Sequence, residues 1–349
     1  MTAPTPWRSG RAAACLLLLV SLTIVHTSGA SAQQTGGDYY PVTIRNCGHT
    51  LTFAEAPRRA VLSYMTVAEI FVGLGLADRA IGMVGYQGPL EEAPLLPEQA
   101  EDFAGIPDVS DTLFPPPREQ ILALRPDFLL AYADFDYDGA DGLATREELE
   151  SAGTQVYTVV CPVGDKEDDP FRGKGETLAA VYRSVLDLGT IFGVSERAEA
   201  RVAQMEQQIA DVRAKVQDEP PVRVLVYTGG TGPISSIGGD LPIINELIEA
   251  AGGENVFAAE PRSYFQAPLE EVAARDPDMF LIYANSGEPT PELDGSEEAA
   301  FLYETFPNMT ASKDRRVVIT DWLYTQPGWC VAQTVEYLAH QFHPELFAQ

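Results

Sequence analysis

A short phrase occurs twice in this chain, 151 residues apart, and it limits the folds that the chain can adopt. The first copy, Glu-Gln-Ile-Leu-Ala-Leu-Arg-Pro-Asp, begins at Glu119, and the second, Glu-Glu-Val-Ala-Ala-Arg-Asp-Pro-Asp, begins at Glu270. Each copy predicts a short helix that stops at Pro126 or Pro277 and is followed by a buried strand. A repeat at this spacing indicates two similar lobes with a cleft between them. We therefore predict a two-lobed binding protein that docks through both glutamates on a twofold partner.

From Tyr40 onward, predicted strands alternate with predicted helices, which indicates parallel sheets covered by helices. The polar stretch from Ser195 to about Val216 carries apolar residues three and four positions apart, which predicts a helix lying across both lobes. The predicted fold class is α/β, with two Rossmann-like lobes that have central parallel sheets, one long rigid connecting helix and a ligand cleft between the lobes. The predicted segments are a signal peptide at 1–32, an N-terminal lobe at 33–194, the connecting helix at 195–217 and a C-terminal lobe at 218–349.

The first residues have the organisation of a secretory signal peptide. Arg8 and Arg11 precede an apolar stretch from Ala12 to Val25, and small residues lead to an expected cleavage point after Ala32. Cys15 does not follow the apolar stretch, as a cysteine for lipid attachment would. We therefore expect a periplasmic or extracellular protein that is secreted through a cleaved signal peptide and has no lipid anchor.

The chain is strongly acidic, with a formal net charge of −28 at pH 7. A protein of this charge repels nucleic acid and anionic membranes, so neither is an expected partner. An anionic ligand would need arginines in its site to overcome the field of the whole protein.

Three cysteines follow the predicted signal peptide, Cys47, Cys161 and Cys330. They lack the paired close spacing of a zinc site, and in an oxidising compartment the simplest arrangement is one disulfide and one thiol. Cys47 precedes the first core strand, and Cys161 directly follows a predicted strand from Val156 to Val160. We therefore predict a Cys47–Cys161 disulfide and a free Cys330.

The histidines lie toward the ends of the chain, at positions 26, 49, 340 and 343. A catalytic triad or a histidine-rich metal site in the cleft is hard to build from them, so we predict no enzyme, no catalytic residue, no metal and no cofactor. The segment from Asp134 to Gly139 copies the first half of a calcium loop, but Thr145 replaces the glutamate that completes such a loop. A solvated acidic loop is the favoured interpretation.

Aromatic residues cluster where the predicted strands end. Ligands of open α/β sheets bind outside the carboxyl ends of the strands, so these side chains are expected to line the cleft. About half of such aromatics would instead pack between strand and helix. The candidate ligand contacts are these aromatics and the one basic residue that can be placed near them, namely Tyr64, Tyr86, Tyr132, Tyr227, Arg262, Tyr264, Tyr283, Trp322, Tyr324 and Trp329.

Several phrases together resemble the solute-binding proteins of iron-siderophore and vitamin B12 ABC importers, over nearly the whole chain that follows the signal peptide. The phrases lie at residues 40–48, 56–61, 73–79, 124–127 and 250–256. The resemblance implies a monomeric extracytoplasmic binding protein whose two lobes close to a limited extent on the ligand. It also implies that one glutamate on each lobe, by position Glu119 and Glu270, engages arginines of the ABC permease dimer.

The ligand is constrained by the side chains available. Catecholate and citrate complexes are anionic and usually met by arginines, whereas tyrosine and tryptophan suit neutral or cationic hydroxamate complexes or a corrinoid. We expect a ferric siderophore of the hydroxamate type, with cobalamin as the alternative ligand. The segment from Pro327 to Cys330 departs from the arginine- or asparagine-bearing loop of the family. A secreted ligand sensor and a hydrolase on the same fold are the alternative classes.

Overall fold

The computed structural model of the protein describes residues 39–83, 99–109, 118–137, 139, 144–163, 173–229, 233–284 and 297–348. The predicted signal peptide lies outside these residues. The strands are β1 (Val42–Asn46), β2 (His49–Phe53), β3 (Ala60–Leu62), β4 (Ala80–Met83), β5 (Phe128–Ala131), β6 (Gln155–Thr158), β7 (Val222–Tyr227), β8 (Ile234–Ile237), β9 (Gly253–Asn255), β10 (Tyr264–Ala267), β11 (Met279–Ala284) and β12 (Val317–Asp321).

The α-helices of the described residues are α1 (Met65–Gly73), α2 (Ala100–Ala104), α3 (Arg118–Leu124), α4 (Arg146–Ser151), α5 (Leu178–Phe192), α6 (Ser195–Val216), α7 (Pro242–Ala250), α8 (Leu269–Arg275), α9 (Glu297–Thr305), α10 (Thr310–Lys313), α11 (Val331–Phe342) and α12 (Pro344–Phe347). Within the described ranges, no helix combines the length and the apolar character needed to cross a membrane.

The first lobe is built on a four-stranded parallel sheet with the strand order β4-β3-β5-β6. Successive residues of a strand point to opposite faces, and here both faces are buried. Leu62 and Leu130 belong to the core on the side of α1 and α5. Val61 and Leu129 belong to the core on the side of α3 and α4. The sheet is therefore covered by helices on both faces, as predicted for an α/β lobe.

The second lobe has a six-stranded sheet with the order β10-β8-β7-β11-β12, in which β9 also pairs with β7. Strands β9 and β11 pair parallel with β7, and β12 pairs parallel with β11. Strand β8 pairs antiparallel with both β7 and β10. The centre of this sheet is parallel, as predicted, and its edge at β8 and β10 is antiparallel. The connection from Tyr227 to Ile234 is too short for a crossover helix, and a short connection returns the chain antiparallel.

The sequence repeat corresponds to a repeated connection between a helix and a strand. In the first lobe, the Asp127 carboxylate accepts hydrogen bonds from the backbone N–H groups of Arg58 (2.9 Å) and Arg59 (2.8 Å) at the start of β3. The Arg59 guanidinium in turn donates to the backbone oxygen of Arg125 (3.1 Å), just after α3. We call this arrangement the Arg–Asp clasp.

The second lobe repeats the Arg–Asp clasp at equivalent positions. Asp278 accepts from the backbone N–H of Arg223 (2.9 Å), and the Arg223 guanidinium donates to the backbone oxygen of Asp276 (3.0 Å), just after α8. Arg125 and Asp276 both adopt positive φ values, 48° and 42°, which is the left-handed conformation that ends many helices. The repeated phrase therefore encodes the same helix ending and the same strand anchor in each lobe.

Helix α6 joins the lobes, and its predicted apolar stripe is confirmed. The stripe residues are all buried, namely Val202, Met205, Ile209, Val212 and Val216. They belong to one continuous apolar cluster that includes residues of β3, α1 and α5 in the first lobe and of β7, α7 and α11 in the second. Because both lobes pack on the same face of α6, their relative movement must preserve this shared core.

A hairpin of β1 and β2 lies against the edge strand β6. Asn46 and Thr158 exchange two hydrogen bonds of 2.8 Å, which link the hairpin to the sheet edge. The adjacent Cys47 forms a disulfide with Cys161, while Cys330 is a buried thiol outside any disulfide of the described residues. The predicted pairing is thus present in the structure.

Candidate ligand-binding cleft

Tyrosines from both lobes meet at the carboxyl ends of the parallel strands. Tyr64 follows β3 and Tyr132 follows β5, and their ring centroids are 5.1 Å apart. The Tyr132 hydroxyl lies 2.6 Å from Oε1 of Gln326, which follows β12 of the second lobe. The bond is buried, so Tyr132 spans the cleft and connects the two lobes directly.

Glu176 brings a carboxylate to the same place. It lies between the short turn Gly173–Gly175 and α5, and only 4% of its surface is exposed. The negative charge of Glu176 acts on Tyr132 and on the other members of the group. These members are Tyr64, Tyr264 and Tyr283. We refer to the four tyrosines around Glu176 as the tyrosine cluster.

The phenols of the tyrosine cluster remain protonated near neutral pH. Burial raises the pKa of each phenol above its ordinary value, and the negative charge of Glu176 raises these pKa values further. A protonated phenol can donate one hydrogen bond and accept others. The cluster therefore contains four neutral hydroxyl groups near one acidic side chain.

The segment that carries Glu176 is attached to the second lobe. Lys174 forms an ion pair with Asp240 (3.2 Å), and Glu246 of α7 accepts a hydrogen bond from the backbone N–H of Leu178 (2.8 Å) at the start of α5. These two contacts flank Glu176 in the sequence. They fix its carboxylate at the boundary of the lobes and not on an outer surface.

Asp136 shapes the loop that follows β5. Its Oδ2 accepts hydrogen bonds from the Ser63 hydroxyl and from the backbone N–H of Tyr132 (2.7 Å). Burial raises the pKa of this carboxyl to about 7 despite these hydrogen bonds. Asp136 is thus used to position Tyr132. No group of three potential metal ligands occurs among the described residues, and Asp138 of the calcium-like sequence lies outside them.

The structure brings together four of the predicted contacts, Tyr64, Tyr132, Tyr264 and Tyr283. Tyr264 is 41% exposed, whereas Tyr132 and Tyr283 are buried. The half-buried Tyr324 lies in the short turn Trp322–Thr325 directly after β12. The Trp322 side chain and Tyr86 lie outside the described residues, and their roles stay predictions.

Tyr227 is fully buried away from the cleft, so its prediction as a ligand contact is wrong. Side chains alternate along β7, and Tyr227 shares a face with Leu225, opposite to Val226. Its ring stacks on Phe301 of α9 at a centroid distance of 6.3 Å. The strand ends at the expected place, but its last residue faces the other core.

Arg262 takes part in surface contacts, and its role as a ligand contact stays a prediction. Its guanidinium lies 2.7 Å from Glu260 and 4.6 Å from the ring centroid of Phe265. Phe265 belongs to the core on the side of α8 and α9, whereas the adjacent Tyr264 points to the cleft. Arg262 therefore serves a surface ion pair and a cation–π contact.

Trp329 packs in the junction between the lobes and not in an open cleft. The Arg201 guanidinium of α6 lies 4.3 Å from the Trp329 ring centroid and also donates to the Trp329 backbone oxygen (2.6 Å). The other side of the ring lies against Gly73 of α1, where a side chain would clash. Its prediction as a ligand contact is corrected to a packing role.

The two glutamates of the sequence repeat occupy matching positions. Glu119 and Glu270 are each the second residue of a seven-residue helix, α3 and α8, and both side chains are exposed. An Arg–Asp clasp lies between each of these helices and the next strand, which is β5 after α3 and β11 after α8. Their role in docking stays a prediction.

Three polar residues of the site were not identified from the sequence. Glu176 is one of 51 acidic residues, and no local pattern distinguishes it. Gln326 lies between Tyr324 and Trp329, and these aromatic residues are the stronger signal in that segment. Asp136 was noted, but as part of a calcium-like loop; its spacing from Ser63 could not reveal their hydrogen bond.

Two α/β lobes, a connecting helix and a tyrosine-lined cleft at the strand ends define a two-lobed ligand-binding protein. A family model of the periplasmic binding proteins matches residues 60–322, and the chain belongs to that family. It is similar to the ABC transporter substrate-binding lipoprotein YvrC of Bacillus subtilis, with 22% identity over 89% of this chain and 88% of that one. It is also similar to the vitamin B12-binding protein of Photorhabdus laumondii, with 23% identity over 82% and 89% of the two chains.

Solved structures agree with this assignment. A periplasmic binding protein from Veillonella parvula aligns with a TM-score of 0.68 and 19% identity, over 87% of this chain and 97% of that one. An ABC-type Fe³⁺-hydroxamate transport system structure from Saccharomonospora viridis aligns with a TM-score of 0.66 and 25% identity, over 89% and 100%. These relatives are named for transport and binding and not for catalysis.

Proposed function

We propose that this protein is the extracytoplasmic binding component of an ABC importer and captures a ferric siderophore of the hydroxamate type between its lobes. The leader sequence supports export, and family membership supports partnership with a permease. The observation that carries the choice of ligand is the tyrosine cluster, which presents neutral hydroxyl groups and aromatic faces.

The chemistry of the cleft suits a chelate without negative charge. Ferric hydroxamate complexes present oxygen atoms that phenols can hydrogen-bond and apolar surfaces that aromatic rings can cover. An anionic catecholate complex would instead meet the charge of Glu176 and of an acidic protein. The similarity to the Saccharomonospora viridis protein supports the same ligand class.

Native mass spectrometry with a panel of ligands tests the proposal. The purified protein is incubated with a ferric trihydroxamate, a ferric tris-catecholate, hemin and cyanocobalamin, each at low micromolar concentration. We expect a complex of one protein with one ferric trihydroxamate, and little binding of the catecholate. Selective binding of the catecholate or of hemin would contradict the proposed ligand class.

A substitution in the tyrosine cluster tests the location of the site. Tyr264→Ala should weaken binding of the ferric trihydroxamate by roughly tenfold, because an aromatic anchor is lost from a partly exposed position. Tyr182→Ala, in α5 and outside the cluster, is the matched control and should leave affinity unchanged. Affinities come from quenching of intrinsic fluorescence, and equal effects of the two substitutions would move the site elsewhere.

Cobalamin is the second candidate ligand. The observation in its favour is that several relatives of this chain are vitamin B12-binding proteins, among them the protein of Photorhabdus laumondii. An aromatic cleft can also cover the faces of a corrinoid. Binding of cyanocobalamin without binding of the ferric trihydroxamate would favour this function over the first.

A further inference from the structure

The two helices that carry the repeated glutamates differ at the residue before the glutamate. Helix α3 begins with Arg118 and α8 begins with Leu269, so these two residues occupy equivalent positions in the two lobes. Leu269 is 48% exposed, more than any other large apolar residue of the described ranges. Pro268, which precedes it, is also exposed. Two adjacent apolar side chains therefore face solvent directly beside Glu270.

The equivalent residue of the first lobe is held within its own lobe. The Arg118 guanidinium lies 2.6 Å from Oε1 of Glu148 in α4, and Oε2 of Glu148 accepts a hydrogen bond from the Thr145 backbone N–H (3.0 Å). The side chain of Glu119 forms no hydrogen bond or ion pair within the described part of the chain. The first lobe thus presents an unpaired carboxylate beside a charge pair.

In the second lobe, the basic residue of α8 is engaged by residues other than Glu270. Arg275 forms an ion pair with Glu271, and its guanidinium lies 4.3 Å from the ring centroid of the buried Phe257. The side chain of Glu270 has no hydrogen bond or ion pair with any described residue. The second lobe thus presents an unpaired carboxylate beside an apolar surface.

An exposed leucine by itself is common on protein surfaces, and Leu186 of α5 is another, with 37% of its surface exposed. What distinguishes Leu269 is its place next to one of two matching, unpaired carboxylates. An apolar contact bordered by charged groups is the usual composition of a protein interface. The position of Leu269 therefore fits a protein partner that carries an apolar surface next to a positive charge.

We infer that Leu269 is a docking contact of the second lobe, and that the permease surface facing this lobe has an apolar patch beside the basic residue that receives Glu270. This inference rests on the proposed function and adds an apolar anchor to the two charge contacts. Covering Leu269 removes apolar surface from water, which stabilises the complex, while opposite charges orient it. The first lobe, with Arg118 at the equivalent position, contributes through charge alone.

Binding of the protein to its permease tests the inference. The cognate ABC permease is reconstituted in lipid nanodiscs and immobilised, and association of the protein loaded with a ferric trihydroxamate is measured by surface plasmon resonance. Leu269→Ser should weaken association by about tenfold, as expected when an apolar anchor is removed from an interface. Leu269→Met, which keeps an apolar side chain of similar volume, should retain most of the affinity.

Two matched variants separate the position of Leu269 from its exposure. Arg118→Ser changes the equivalent residue of the first lobe and should not weaken association, because the Arg118 guanidinium pairs with Glu148. Leu186→Ser removes an exposed leucine away from the repeat and should leave association unchanged. The affinity of each variant for the ferric trihydroxamate, measured by fluorescence titration, should equal that of the wild-type protein.

The outcomes distinguish the inference from the proposed function. Association of Leu269→Ser with wild-type affinity, or an equal loss in Leu186→Ser, would overturn the role of Leu269 while the proposed function stands. Failure of the loaded wild-type protein to bind the permease would overturn both.

Discussion

Asp136 illustrates how a single carboxyl group can organise a binding loop. It joins the Ser63 side chain after β3 to the Tyr132 backbone after β5, and so sets the distance between two strand ends that carry cluster tyrosines. Removing its charge from water is unfavourable, and its pKa is therefore about 7 in the folded protein against an ordinary value of 3.8.

The raised pKa of Asp136 predicts that stability depends on pH. The folded state holds a proton on this group where the unfolded state has lost it, so the free energy of unfolding should fall as pH rises from about 4 to about 7. Between pH 5 and pH 7 the fall is at most about 3 kcal/mol. Asp136→Asn should lack this component, as measured by denaturant unfolding at several pH values.

Asp102→Asn, at an exposed position of α2, is the control and should follow the wild-type pH profile. If Asp136→Asn and wild-type protein lose the same stability between pH 5 and pH 7, the group does not titrate as described.

At the scale of residues, the sequence predicts which positions follow strands but not which way they face. Tyr64 and Tyr132 follow two strands of one parallel sheet, so their approach could be predicted. Tyr227 also ends a strand, but successive side chains of a strand point to opposite faces. Tyr227 faces the core opposite to the one that its neighbour Val226 faces. Glu176 is brought to the site by contacts with the second lobe, which no local pattern contains.

At the scale of elements, the repeated phrase is a structural unit more than a binding motif. Its proline and aspartate end a helix and hold the next strand against the first strand of the lobe. This explains why the strand that follows each copy of the repeat could be predicted. The antiparallel edge of β8 and β10 was not predicted, although the short connection between β7 and β8 contains Gly229, Gly230 and Gly232, which are turn signals.

The Arg–Asp clasp of the second lobe should contribute measurably to stability. Asp278→Ala removes the acceptor of the partly buried Arg223 N–H, and leaving such a donor unsatisfied costs about 1–3 kcal/mol. Asp127→Ala should reduce the free energy of unfolding by less, because the N–H groups that Asp127 binds are exposed and can hydrogen-bond to water instead. Urea unfolding of both variants measures the difference.

Asp218→Ala removes an exposed aspartate near the end of α6 and should have little effect. An Asp278→Ala variant as stable as Asp218→Ala would show that the clasp does not hold the strand.

At the scale of the whole molecule, the shared core limits how the lobes can move. Both lobes pack on α6, and Trp329 lies between Arg201 of α6 and Gly73 of α1. A wide hinge opening would break these contacts, since packed cores do not deform continuously. Ligand exchange through small movements of the lobes is therefore expected, and the outer surfaces that meet a partner keep nearly fixed positions.

A fixed spacing between the lobes makes Glu119 and Glu270 suited to simultaneous docking on a twofold permease. Reversing both charges, Glu119→Lys with Glu270→Lys, should abolish ligand uptake through the cognate permease and leave the ligand affinity of the isolated protein unchanged. The physical reason is that both side chains are exposed at the starts of α3 and α8 and take no part in the tyrosine cluster. Uptake of chelated radioactive iron by permease-containing vesicles, together with fluorescence titration of the same variant, measures the two properties separately. The matched control is Glu147→Lys with Glu304→Lys, which reverses one exposed glutamate in each lobe at positions outside the repeat and should preserve uptake. Loss of ligand affinity in the first variant, or equal loss of uptake in both, would contradict docking through the repeated glutamates.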